Sequence, residues 1–185
     1  IRLYSFQTDV VYQVLKRDGV CYSKEEYVRK KYKESAKVFI NAYGWFVKEA
    51  QYIVPKPEGA EYPYWAFTDL YNVDQTGDGH VLTLDVPIGE AILFDMFDWT
   101  KIMQMHYIGE NESEESAFSE ELKNMGMNEF QIMTSNFYPE QKARIQESWN
   151  RLFNHQQAIE AGDNSGVHSV QAGLWCIKDE WIVKE

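Results

Sequence analysis

The chain has 185 residues, a formal net charge of −11 and an aromatic content of 15%. This length fits one domain with a substantial core, and the aromatic content predicts a core rich in large rings. The acidic balance argues against a nonspecific grip on a nucleic-acid backbone, which needs clustered Lys and Arg. Two cysteines without metal spacing, and no apolar run of membrane-spanning length, predict a cytoplasmic protein in a reducing compartment that does not enter a membrane.

The first residues predict a strand followed by a helix. Apolar and polar side chains alternate over residues 1–6, Thr8 is placed to cap a helix, and Gly19 is placed to end it. A capping box at Ser23 and Glu26 predicts the start of a second helical region. Its strongest part, residues 36–50, has apolar side chains at three- and four-residue spacing and predicts the longest helix, in which Gly44 would let another element approach closely.

Residues 62–69 predict a strand in the middle of the sheet. Tyr62, Tyr64 and Ala66 face one way, while Trp65 and Phe67 face the other. Bulky side chains on both faces indicate that both faces are covered. Further strands are predicted at His80–Val86, Ala91–Asp95, Ser169–Ile177 and Trp181–Lys184, and with the helices they indicate an α+β fold with a mixed, mostly antiparallel sheet.

An acidic segment interrupts this core pattern. Residues 109–136 are expected to form an acidic helical excursion from the single domain 1–185, with a solvated helix over residues 113–125.

The loop from Asp74 to Asp85 resembles a calcium-binding loop in the spacing of its oxygen side chains. Asp85 stands where a bidentate Glu is needed, and Pro87 follows where a helix is needed, so we predict no tight calcium site and no metal elsewhere. None of the four histidines has the spacing of a zinc ligand set.

Asp95 and Asp98 flank a turn from a strand to a helix. Two carboxylates there could form an acid–base pair. The alternative, which we favour, is that Asp98 caps the helix and Asp95 hydrogen-bonds within the turn.

The two ends of the chain resemble the ADP-ribosyltransferase fold of DNA-targeting toxins. The motifs are Tyr4 to Thr8 followed by the helix ending at Gly19, and Val170 to Ile177 near the C-terminus. The resemblance implies an NAD-type pocket, with Gln7 and Thr8 on the nicotinamide amide and Gln171 near the ribose. Gly173 stands where that family carries its catalytic Glu, and Gln7 where a His is common.

A second resemblance covers most of the chain and is to an uncharacterised bacterial and phage family of unknown function. Its motifs resemble Gln7, Ala42 to Trp45, Tyr62 to Ala66, Asp95 to Trp99 and Ser148 to Phe153. That family brings no activity with it.

Two functional hypotheses result. In the first, an ADP-ribosyltransferase-like protein binds NAD, with Tyr43 or Trp65 stacked on the nicotinamide ring and with degenerate catalysis. If it is an enzyme, it is a glycosyltransferase acting on NAD, with Gln171, Asp95 and Asp69 as the candidate catalytic residues. A carboxylate must stabilise the transition state, and only Asp69, Asp95 or Asp98 could supply it. In the second, a noncatalytic acidic module of the bacterial or phage defence or counter-defence type meets a basic protein through six clustered glutamates, Glu110, Glu112, Glu114, Glu115, Glu120 and Glu121.

Overall fold

The computed structural model describes residues 1–26 and 36–184. Its strands are β1 Arg2–Thr8, β2 Val20–Tyr22, β3 Tyr64–Phe67, β4 Gly79–Asp85, β5 Ile92–Asp95, β6 Val170–Leu174 and β7 Cys176–Lys178. Its helices are α1 Asp9–Asp18, α2 Ala36–Ala50, α3 Met96–Met103, α4 Glu112–Asn124, α5 Glu129–Thr134, α6 Pro139–Ser148 and α7 Gln156–Glu160. The predicted α+β class is confirmed.

The N-terminal helix and α2 form where the sequence predicts them. Thr8 is the N-cap residue of α1, but its side chain makes no capping hydrogen bond. Gly19 ends α1 in the left-handed conformation, with φ of 76°. The helix predicted from Ser23 runs into residues 27–35, which lie outside the described residues.

The main sheet is antiparallel and has the strand order β4-β1-β3-β6-β5. The prediction that the Tyr62–Asp69 segment lies inside the sheet is confirmed, because β3 is its central strand. Since β1 and β6 flank β3, segments from the two ends of the chain meet in the middle of the fold.

The single strand predicted over residues 169–177 is in fact divided between two sheets. β6 belongs to the main sheet, and β7 pairs with β2 in a separate two-stranded sheet. The break falls at Trp175, whose buried indole Nε1 donates a hydrogen bond of 2.7 Å to the carbonyl of Val54. Anchoring this large ring redirects the chain between the two sheets.

The two faces of the main sheet carry different cores. On the first, which we call the α1 face, Leu3 packs with Val11 and Leu15 of α1. On the second, which we call the aromatic face, Trp65 of β3 packs with Phe46 of α2 and with residues of α3.

The acidic segment packs onto the aromatic-face core instead of standing apart from it. Phe118 and Leu122 of α4 and Ile132 and Met133 of α5 are buried in the same cluster as Phe46. The helix predicted over residues 113–125 is present as α4, and it is solvated except on the side of Phe118 and Leu122, which are buried. The apolar stripe of α4 is weak, because only Phe118 and Leu122, four residues apart, are buried on one narrow side. The many glutamates around these two residues make the stripe hard to recognise in the sequence.

Candidate functional site

Gln171 of β6 is a buried polar residue of the main sheet and the first candidate for ligand contact. Its side chain is 3% exposed, and within the described part of the chain its amide makes no hydrogen bond. Among those residues, every side-chain nitrogen or oxygen atom that is fully shielded from solvent has a hydrogen-bond partner. Because the Gln171 amide has no partner, its atoms must keep a narrow opening to solvent. A buried amide without a partner is costly, which makes this position a candidate for ligand contact.

Aromatic rings lie beside Gln171 in the sheet. Phe67 and Phe94 are its register partners on the two neighbouring strands, and Tyr4 lies opposite Phe67 on β1. Residues directly opposite one another share a face. A row therefore runs Phe94, Gln171, Phe67, Tyr4 across the aromatic face, with about 5 Å between neighbouring strands.

Three of the rings on this face stand outside both cores. Tyr4, Phe67 and Phe6 are half-buried, and none of them belongs to either buried cluster. Phe6 shares the face of Tyr4 because side chains alternate along a strand. The sequence showed that Phe67 faces the same way as Trp65, but not that β1 would place Tyr4 and Phe6 beside it.

The predicted stacking residues Tyr43 and Trp65 do lie on the Gln171 face, but they pack against each other and against further rings of the aromatic-face core. The Trp65 indole Nε1 donates to the Tyr43 hydroxyl at 2.8 Å, and the rings stack with centroids 5.4 Å apart. Trp99 lies 4.8 Å from Trp65 by the same measure. Since Tyr43 is only 3% exposed, Phe67 and Tyr4 are more accessible to a flat ligand.

The structure does not bring Gln7 and Gln171 into one cleft. Gln7 is three residues from Tyr4 along β1, so it points to the α1 face, where its amide donates to the Ser5 hydroxyl at 2.8 Å. It also lies towards the opposite end of the strands, beside His80 of β4. Thr8 is exposed at that same distant end. The predicted pocket shared by Gln7, Thr8 and Gln171 is therefore not formed.

Gly173 lies on the aromatic face two residues from Gln171, and its surroundings explain why it is glycine. A Cβ atom there would lie 2.8 Å from Cζ of Phe46, closer than real contacts allow. Phe46 is fully buried and cannot easily move aside. The position at which the toxin family carries a Glu is here closed by the packing of α2 on the sheet.

Asp95, not Asp98, caps α3. The Asp95 carboxylate accepts hydrogen bonds from the backbone of Phe97 and from the backbone and ring of His168, the last at 2.8 Å. Burial alone raises the pKa of Asp95, but the hydrogen bonds from His168 and Phe97 outweigh it, and the pKa is lowered. The carboxylate is therefore held ionised as a structural acceptor.

Asp98 lies in the first turn of α3 and has the opposite character. Burial raises its pKa, although Lys101 at 3.5 Å acts against this. The two carboxylates thus differ in protonation tendency, as an acid–base pair would. Asp95 is committed to four donor groups, which favours the structural interpretation.

Asp69, the remaining carboxylate candidate, is exposed two residues beyond Phe67. It caps a short 3-10 turn by accepting from the backbone N–H of Tyr71 at 2.9 Å. It lies at the same end of the sheet as Gln171, because Phe67 and Gln171 are register partners.

The loop that resembles a calcium site has its oxygen atoms engaged otherwise. Asp74 accepts from the backbone and hydroxyl of Thr76, and Asp85 forms a two-pronged ion pair with Arg2 at 2.6 and 3.0 Å. Over residues 1–26 and 36–184, no group of three or more His, Cys, Asp or Glu side chains is placed to hold a metal ion. The weakness of calcium binding stays a prediction.

Two open clefts lie away from these residues, around Tyr107. One, of about 330 Å³, is lined in part by Lys101, His106 and Glu129, and the other, of about 200 Å³, lies between Arg144 and Arg151. Their charged groups are largely paired with one another, as Lys101 is with Glu115 at 2.7 Å. Neither cleft is lined by a residue of the predicted nucleotide pocket.

Comparison with known proteins identifies a family but no characterised relative. The family model described as a domain of unknown function, DUF3841, matches residues 2–183. No curated protein and no solved structure matches the chain. In the described part of the chain, no helix has the length and apolar character needed to cross a membrane.

Proposed function

The chain belongs to the DUF3841 family, a domain of unknown function, and we propose that its aromatic face binds the nicotinamide end of an NAD-type nucleotide. In this arrangement the ring lies over Phe67 and Tyr4, and the carboxamide exchanges hydrogen bonds with Gln171. An amide paired with an amide satisfies one donor and one acceptor on each side.

The observation that carries the proposal is the unpaired amide of Gln171. It is buried between two aromatic register partners and has no hydrogen bond within the described residues. Binding sites combine apolar walls with a few placed polar groups, and this face has both. A ligand amide would remove the cost of the unpaired group.

We expect cleavage of the ligand to be feeble or absent. Position 173 is closed by Phe46, and Asp95 is occupied by His168 and Phe97. Asp69 is exposed and caps a turn. Without a free carboxylate at the ribose, the transition state of glycosidic cleavage lacks its stabilising charge.

The alternative, an acidic module that meets a basic partner, has less support. Of the six clustered glutamates, Glu115 pairs with Lys101, Glu121 with Arg144, and Glu114 with Arg151 and the Tyr107 hydroxyl. These carboxylates hold α4 against its neighbours. Glu110 also lies 3.7 Å from Arg151, so four of the six carboxylates assigned to a partner form ion pairs inside the molecule.

The proposal is tested by titrating the protein with nicotinamide and NAD, using calorimetry. Gln171→Leu should weaken binding about tenfold, the loss expected for about one hydrogen bond in a partly buried site. Gln7→Leu is the matched control, because Gln7 is also a buried strand glutamine but lies on the α1 face. It should leave the affinity unchanged.

Either of two results would contradict the proposal. If the parent protein binds neither compound at millimolar concentration, or if Gln7→Leu weakens binding as much as Gln171→Leu, the aromatic face is not the site. Thermal denaturation of both variants shows whether either change acts through folding, since Gln171→Leu removes an unpaired amide and should not destabilise the protein.

A further inference from the structure

An exposed histidine is held by a buried carboxylate at the end of β5. Nδ1 of His168 lies 2.8 Å from Oδ2 of Asp95, and the backbone N–H of His168 donates to the same oxygen at 3.0 Å. The Asp95 side chain is 5% exposed, whereas the His168 side chain is 73% exposed. The two contacts fix the position of the imidazole ring and leave its far edge in solvent.

The direction of the side-chain hydrogen bond decides which ring nitrogen is free to react. Burial raises the pKa of Asp95, but its hydrogen bonds outweigh burial and lower the pKa, so the carboxylate is an acceptor without a proton of its own. Nδ1 of His168 therefore carries the ring proton, and Nε2 of the neutral ring keeps its lone pair. Within the described part of the chain, Nε2 makes no hydrogen bond and no ion pair.

The surroundings of the imidazole suit a neutral group better than an anion. The ring of Phe97, a residue that is 50% exposed, lies beside the imidazole with the ring centroids 4.9 Å apart. Among residues 1–26 and 36–184, no Lys or Arg side chain forms a hydrogen bond or ion pair with His168 or Asp95. Phosphoryl transfer needs positive charge around the transferred group, whereas the carbonyl carbon of a neutral ester does not.

We propose that His168 is an acyl-accepting nucleophile for neutral, activated carboxylic esters, and that Asp95 is its positioning residue. Nε2 attacks the carbonyl carbon, so an N–C bond forms and the C–O bond to the leaving group breaks. The acylated ring is a cation, which the Asp95 carboxylate stabilises through the Nδ1–H hydrogen bond. Water then attacks the acyl group, the N–C bond breaks, and the carboxylic acid and a proton are released. Since no step involves Gln171, the proposal does not depend on nucleotide binding.

The test follows the release of p-nitrophenolate from p-nitrophenyl acetate, a neutral ester with a flat leaving group. Asp95→Asn removes a charge-assisted hydrogen bond from the acylated ring and should slow the release about tenfold to a hundredfold. His168→Asn should slow it at least as much, because it removes the nucleophile itself. p-Nitrophenyl phosphate has the same leaving group on an anionic phosphoryl group, and we expect no release from it.

His80→Asn is the matched control. His80 also lies 2.7 Å from a carboxylate, but it makes this contact through Nε2, and the side chain of its partner Asp9 is 67% exposed. Its reactive nitrogen is therefore the one that is engaged. The substitution should leave the rate of release unchanged.

A measurement on the unchanged protein keeps the proposal testable if Asp95→Asn does not fold. The nitrogen NMR signals of the His168 ring, assigned by their loss in His168→Asn, should show a proton on Nδ1 and none on Nε2 of the neutral ring. A neutral ring protonated on Nε2 would overturn the proposal, as would equal release by the parent protein and His168→Asn. A folded Asp95→Asn with the parent rate would show that His168 reacts only as an exposed imidazole, and release from the phosphate that requires His168 would exclude the acyl assignment.

Discussion

Asp95 and Asp98 lie three residues apart at the start of α3, and their pKa values are shifted in opposite directions. Burial raises the pKa of both carboxyl groups, but hydrogen bonds from His168 and Phe97 reverse the effect at Asp95 only. A lowered folded-state pKa stabilises the fold above the ordinary Asp range, and that stability is lost as the pH falls through the folded value. A raised pKa has the reverse effect, since ionisation then opposes folding.

We predict that the Asn variants of these two residues respond oppositely to pH. Asp95→Asn should lower the free energy of unfolding at neutral pH, and the deficit should shrink as the pH falls below the ordinary pKa of Asp. Asp98→Asn should have its most favourable effect on the free energy of unfolding at neutral pH, where the parent carboxyl group is ionised. Any gain in stability over the parent protein should vanish in acid. Urea unfolding between about pH 3 and 7 measures both, and parallel pH profiles for the two variants would contradict the assignment.

At the scale of secondary-structure elements, the contact between α2 and β6 depends on one glycine. The Cβ of any residue at 173 would overlap the ring of Phe46, whereas Gly44 of α2 is exposed, and a Cβ atom added there would have no neighbouring atom within 4 Å. The expectation that Gly44 permits a close approach is thus wrong, and Gly173 has that role. A sequence shows that a glycine interrupts a helix, but not which glycine lies under a neighbouring element.

The two glycines give a matched pair of substitutions with opposite signs. Gly173→Ala should destabilise the fold by about 1–3 kcal/mol through overpacking. Gly44→Ala should stabilise it by up to about 1 kcal/mol, because alanine is the better helix former. Urea unfolding of both variants, with far-UV circular dichroism as the signal, decides this, and a neutral Gly173→Ala would mean that Phe46 can move aside.

Periodicity predicted the elements well where the pattern is local. The α2 helix, the alternation of β3 and the left-handed Gly19 follow from three- and four-residue spacing, from two-residue spacing and from the preference of glycine for positive φ. Register is not local, so the sequence could not show that Gln7 and Gln171 point to opposite faces. The site assignment depended on that relation between β1 and β6, which only the pairing of both strands with β3 establishes.

At the scale of the whole molecule, two cores share one sheet. Leu3, Ala66 and Leu174 contribute to the α1-face core, while Trp65 of β3 contributes to the other, and Gly173 of β6 lies against Phe46 of that second core. Strands β3 and β6 are thus walls of both cores at once. Neither core can lose its sheet without exposing the other, which favours unfolding of the described structure as one cooperative unit.

This coupling gives a prediction in which the change and the signal lie on opposite faces. Leu3 is fully buried in the α1-face core, which also holds Trp181, whereas the other five tryptophans belong to the aromatic-face core: Trp45, Trp65, Trp99, Trp149 and Trp175. The measurement is therefore made in a Trp181→Phe background, so that the fluorescence comes from the aromatic face alone. Leu3→Ala should lower the free energy of unfolding by about 2–5 kcal/mol. Because the cores share β3 and β6, the tryptophan fluorescence transition in urea should shift by the same amount as the circular dichroism transition. Val10→Ala, at an exposed position of α1, should shift neither, and a fluorescence midpoint that stays fixed in Leu3→Ala would show that the two cores unfold separately.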